Sequence, residues 1–249
     1  ESYTVSFWEQ PSSLVGKPRI WDLITESSTN LTTALLFWQN ILYANADIVI
    51  TPRPIHLEAG MIPWCYSKPV GYYEELVKKL GEFNLMNYWG PLSSIKSSQW
   101  IMGASLITLE KLKPNLLMIY LPQLDYSCQK YGPRSAAVQS DLRDLDSLLG
   151  SLLTTIDKLD IASKTGIIVH SEYGFYDVQS SVSPNRLLRE KGLLAVREIH
   201  GKEYLDLEFS KAFGMVDHQV CHLYMKEGCQ DKVSEIFSTV TEIEVIMGR

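Results

Sequence analysis

The apolar positions along this chain fall into two kinds of pattern. Between Ala136 and Leu159 they recur at three- and four-residue steps: Leu142, Leu145, Leu149, Leu152, Ile156 and Leu159. That spacing stacks them on one face of a helix, and Asp141, Arg143, Asp144, Asp146 and Asp157 fall mostly on the other. Elsewhere the apolar residues come as short continuous runs that end at turn residues. Leu116 to Leu121 is one, closed by Pro122; Gly166 to Val169 is another, followed by His170-Ser171-Glu172-Tyr173-Gly174. Such runs read as buried strands. Asp47 to Ile50 reads the same way, and the two prolines of Thr51-Pro52-Arg53-Pro54 impose an extended segment or a turn after it.

The remaining elements follow in order. Helices are expected over Arg19 to Glu26 and over the apolar-rich Thr32 to Ala44. Val70 to Leu80 is a helix stopped by Gly81, and Ser93 to Leu112 a long one ended by Pro114. Pro184 to Lys191 has Ser183 as cap and Gly192 as stop. Leu193 to Ile199 and Lys202 to Leu207 flank His200-Gly201 as a hairpin, a strand lies around Val220 to Tyr224, Gln230 to Val240 is a helix, and Glu242 to Ile246 a closing strand. Strands that alternate with long helices predict an α/β fold, a central, mostly parallel sheet flanked by helices on both faces. A single domain over residues 1–249 is expected, with the irregular stretch 55–90 as a lobe over the sheet edge.

Composition excludes several classes. Of the 249 residues 45% are hydrophobic and 21% charged, as in a folded globular chain, and the net charge of −6 leaves no basic footprint for nucleic acid or an anionic membrane. No apolar run reaches the length of a membrane span. Cys65, Cys128, Cys221 and Cys229 make no C-x-x-C pair and match no zinc-finger spacing. They read as reduced thiols, which points to a cytoplasmic, reducing compartment.

Two strand ends carry the candidate chemistry. The run ending at Leu121 leads into a polar loop with Asp125, Tyr126, Gln129 and the Gly132-Pro133 turn, and the run ending at Val169 leads to Glu172. Open α/β sheets place their sites at such ends. The pair are candidate ligands for a divalent cation, which takes carboxylate oxygens held on rigid supports; equally, Asp125 closes a turn and Glu172 caps a helix or faces solvent. Asp217-His218-Gln219 with His222 puts two imidazoles on one face of a strand, as a metal pair or as an exposed sheet edge. Arg53 offers a fork for phosphate or a structural salt bridge. Phe83, Tyr88 and Trp89 stack on a base or, the favoured reading, fill the core. The P-loop, dinucleotide, zinc-protease and nucleophile-elbow motifs are absent from the sequence.

The order Tyr120, Pro122, Asp125, Lys130-Tyr131-Gly132-Pro133, followed by the leucine helix, resembles the alkaline phosphatase superfamily in its nucleotide pyrophosphatase/phosphodiesterase branch. Val169 to Gly174 resembles that family's strand followed by Ser-Asp-His-Gly. A bacterial subgroup is similar at Phe7-Trp8, Ile20-Trp21, Thr51-Pro52-Arg53-Pro54, Tyr88-Trp89-Gly90-Pro91, Leu124-Asp125-Tyr126, Asn185-Arg186-Leu187-Leu188 and Asp217-His218-Gln219. The resemblance implies an alkaline phosphatase-like core and metal-dependent hydrolysis of small phosphate esters or pyrophosphates at a two-metal site, with zinc as the expected metal. It implies Asp125 and Glu172 as ligands; His218, from the spacing of the two imidazoles, is the candidate third. Two departures stand out: Gln129 occupies a metal-histidine position, and Glu172-Tyr173 replaces an Asp-His pair. The family's nucleophile and last metal histidine are expected outside the matched stretch, so the core is expected to be incomplete at both ends and no nucleophile is assigned. The competing expectation is a non-catalytic relative that binds a phosphorylated ligand or a partner protein.

Overall fold

The computed structural model describes residues 11–27, 30–90 and 92–248; Phe7-Trp8 and Pro91 lie outside the described residues. Where one domain over 1–249 is the sequence expectation, the chain clusters into two compact units with the boundary after Tyr176.

The first unit is built on a strand where a helix was expected. Strand β1 (Thr33–Leu36) is buried at all four positions. It pairs in parallel with β2 (Ile48–Pro52) on one side and, on the other, with the strand at Leu116–Ile119. A short apolar run fits a buried strand as well as a helical segment, and here pairing on both edges decides for the strand. Beyond it, Phe37, Asn40 and Tyr43 have positive φ, a left-handed conformation that no continuous helix over Thr32 to Ala44 tolerates. The 55–90 stretch opens with a hairpin, β3 (Ile55–Leu57) and β4 (Gly60–Ile62), and then β5 (Cys65–Lys68) runs antiparallel to β2. With β6 (Leu116–Ile119) the sheet has the order β5-β2-β1-β6, four strands and mostly parallel.

The alternation of side chains along these strands sorts the two faces. Register pairs Leu35 with Val49 and Met118, and those residues pack with Trp21 of α1 (Ile20–Ser27). Leu36 pairs with Ile50 and Ile119 on the other face, under α2 (Tyr72–Leu80) and α3 (Ile95–Leu112). Phe83 and Tyr88 are buried there with Phe37 and Trp100, with Phe37 4.7 Å from Phe83 and 5.5 Å from Tyr88 between ring centroids. Core filling is thus their role.

The polar loop expected after β6 is a helix, α4 (Leu124–Tyr131), and Gly132 is its stop, donating to the Cys128 carbonyl at positive φ. Helix α5 (Ala136–Lys158) follows as predicted, although Leu142 of its apolar stripe stays exposed while Leu152 and Ile156 pack against α3. Two expected strands are not formed. Residues 165–169 carry no ladder, and Ile168 and Val169 are exposed. Apolar composition favours burial, but a strand also needs a hydrogen-bonded neighbour, and these residues do not pair with β6, which stays the sheet's edge.

The second unit holds α6 (Pro184–Glu190), the hairpins β7 (Ala195–Ile199)/β8 (Lys202–Asp206) and β9 (Ala212–Asp217)/β10 (Val220–Met225), and α7 (Gln230–Ser238). Leu188, Leu193, Ala212, Val233 and Phe237 form its core. His200 and Gly201 both have positive φ, the geometry of a tight two-residue hairpin turn. The closing strand expected over Glu242 to Ile246 is not formed: only Ile243 packs on this core, and Val245 and Ile246 are exposed. All four cysteines carry free thiols, and no helix among the described residues is long and apolar enough to cross a membrane.

Candidate active site

Because β1, β2 and β6 are parallel, their carboxyl ends share one edge of the sheet. The chain passes from β1 to β2 on one side and returns as β6 on the other, so the crevice of this sheet falls between β1 and β6. Trp38 and Gln39 follow β1, Arg53 follows β2, and Tyr120 to Asp125 follow β6.

Asp125 sits in the first turn of α4, where the helix dipole favours a negative charge. Both of its oxygens are engaged. Tyr173 donates its hydroxyl to Oδ1 at 2.9 Å, and Gln129, one turn along the same helix, donates its amide Nε2 to Oδ2 at 3.0 Å. Glu172 faces a different neutral donor, the Gln39 amide, at 3.1 Å from Oε2. His170 lies edge-on to Trp38 with ring centroids 5.8 Å apart. These contacts tie residues 170–173 to the ends of β1 and β6 although that segment has no ladder of its own.

The phenols around Asp125 stay neutral. Burial pushes the Tyr120 hydroxyl up, and the charges of Asp125 and Glu172 push it further. Tyr173 is raised first by burial, then by its bond to Asp125 and by that charge. Burial and Asp125 also raise Tyr126, against an opposing bond to the Gly90 backbone. Tyr88, Trp89, Tyr120, Pro122, Asp125 and Tyr126 line a cavity of about 30 Å³, room for about one water. Behind it, buried Gln123 donates to Asp141 Oδ1 at 3.0 Å and so fixes the start of α4 to α5.

Sequence reasoning reached Asp125, Glu172, Gln129 and Tyr173 but not Gln39, Tyr120 or Tyr126 as parts of the same cluster. Tyr120 and Tyr126 were signalled by their closeness to Asp125 in the chain. Gln39 carried no local signal, being 133 residues from its partner. His218 belongs to the second unit. It occupies the turn between β9 and β10 at positive φ, with Nδ1 2.7 Å from Asp217 Oδ1, while His222 lies on β10 opposite Met215. The expected shared strand face of the two imidazoles is therefore not formed, because the turn takes His218 off the strand.

Zinc takes about four ligands, drawn from carboxylate oxygen, imidazole nitrogen and thiolate. At the end of β6 the donor set is two carboxylates already accepting from amides and a phenol, and the phenols are held protonated. Among the described residues no three His, Cys, Asp or Glu are grouped to hold a metal. As arranged, these side chains do not fit a pair of cations.

The sequence profile of the type I phosphodiesterase / nucleotide pyrophosphatase family matches residues 1–245. No curated protein and no solved structure matches the chain. That family is typically metal-dependent and acts on phosphate esters. A match over nearly the whole chain, on a mostly parallel sheet with its acids at the carboxyl edge, establishes that the chain belongs to the type I phosphodiesterase / nucleotide pyrophosphatase family of the alkaline phosphatase superfamily.

Proposed function

We propose that this protein binds phosphate esters or pyrophosphates at the carboxyl edge of its first-unit sheet as a non-hydrolysing member of the family. One observation carries the reading: both oxygens of Asp125 accept hydrogen bonds from neutral side chains, Tyr173 and Gln129, that stand at the positions where the resemblance implies ligands. A bare carboxylate repels a phosphate. Two unit charges 4 Å apart cost about 4 kcal/mol near a protein surface, so a phosphoryl group has no direct place on Asp125 without a cation between them. The anion is then recognised by Arg53, half-buried just beyond β2 at the same edge, whose planar fork matches phosphate oxygens.

The second reading is hydrolysis, with zinc held by Asp125 and Glu172; family membership favours it. It requires Tyr173 and Gln129 to leave Asp125. Calorimetric titration with pyrophosphate and a turnover assay with bis(p-nitrophenyl) phosphate in zinc or manganese separate the two. Saturable binding that Arg53→Ala weakens by about ten-fold, with no turnover above the metal blank, is the expected result. Metal-dependent turnover that Asp125→Ala abolishes would establish hydrolysis instead.

A further inference from the structure

The spacing around Asp125 preserves the geometry of a ligand pair while changing its chemistry. Residues four apart on a helix share a face, so Asp125 and Gln129 point at one spot. With two acceptors, or an acceptor and an imidazole, that spot would hold a cation. Here it holds a donor and an acceptor, 3.0 Å apart, that satisfy each other. The other oxygen of the same carboxylate meets Tyr173, which arrives from 48 residues along the chain. Glu172, its neighbour in sequence, is engaged by Gln39. Three neutral donors from three separate segments thus converge on two carboxylates.

We propose that Tyr173 and Gln129 take the place of a cation at Asp125, so that hydrogen bonds and not a metal join residues 170–173 to α4, and the site takes up no zinc or manganese. The phenol hydroxyl and the amide nitrogen each donate to one oxygen of Asp125 from a position where the resemblance implies a further metal ligand, so a neutral donor stands where a ligand would have to be. The segment they hold has no ladder partner, so the cross-link does for it what strand pairing does elsewhere in the unit. The inference builds on the non-hydrolytic reading, but it is measured by metal uptake and fails or stands separately from phosphate binding.

The test is zinc and manganese uptake by the intact protein, read by calorimetry and by metal content after gel filtration, with circular dichroism to confirm folding. The wild type is expected to show no stoichiometric uptake that depends on Asp125. The Gln129→His/Tyr173→His double variant replaces both donors with imidazoles at the same spacing. It is expected to take up about one equivalent of zinc, at least about ten-fold more tightly than the wild type, and to lose it when Asp125→Asn is added. The single Tyr173→Phe variant, which cannot contribute a ligand, is expected to stay metal-free. Stoichiometric zinc in the wild type that Asp125→Asn removes overturns the proposal. A folded double variant that binds no more zinc than the wild type overturns it too, because the two donors would then not be what stands in the cation's place.

Discussion

Replacing Tyr173 by Phe removes one hydroxyl and leaves the ring, so it isolates the bond to Asp125. A hydrogen bond to a charged group contributes roughly 1.5–3 kcal/mol when shielded. Tyr173 is half exposed and water can replace its hydroxyl at Oδ1, while Gln129 still serves Oδ2; the expected loss is therefore about 0.5–1.5 kcal/mol. For a protein of this size that lowers Tm by about 1–5 °C. All six tryptophans, Trp8, Trp21, Trp38, Trp64, Trp89 and Trp100, precede the unit boundary, so tryptophan fluorescence follows the first unit alone. The local consequence is larger than the global one. With Tyr173 released, residues 170–176 keep the Gln39–Glu172 bond and the His170–Trp38 contact, and their amide hydrogen exchange rises while β1 and α3 are unchanged. Tyr176→Phe, at a tyrosine 73% exposed, serves as the control and leaves both readouts unmoved. Equal exchange in 170–176 for wild type and Tyr173→Phe, with no change in Tm, would refute the claim that this bond anchors the segment.

Two further outcomes concern the second unit. A Cβ on Gly214 would lie 2.8 Å from Cys221 Sγ and 3.3 Å from Asn185 Oδ1, the atom that accepts from the Gly214 amide. Gly214→Ala is expected to cost about 1–3 kcal/mol in urea unfolding, and Cys221→Ala in the same chain to recover part of it. Asp206 is held below the usual carboxylate range by its bond to Arg197, assisted by the backbone amides of Phe209 and Glu208. A depressed folded-state value means stability that is present above the unfolded value, near 4, and lost as pH falls through the folded one. The second unit therefore loses stability on acidification below about pH 4, and Asp206→Asn flattens that part of the profile.

The residues themselves determined whatever depends on near neighbours. The leucine steps of α5 and the His200-Gly201 turn follow from chain geometry within a few residues, where period and φ act. The identity of the family was legible for the same reason, in short ordered motifs spread over the chain. Tertiary structure alone decided that Thr33–Leu36 is a central strand, because that outcome depends on β2 and β6 supplying hydrogen bonds on both edges. It also decided that 165–169 stays without a ladder and that Asp125 lies on a helix. The site shows the division most clearly. Gln129 was readable only through the resemblance, as a metal-histidine position, and its bond to Asp125 appears once both lie on α4, whereas Tyr173 and Gln39 reach their carboxylates across 48 and 133 residues. No local pattern encodes such a pairing; it exists only once the sheet has brought the ends of its strands to one edge.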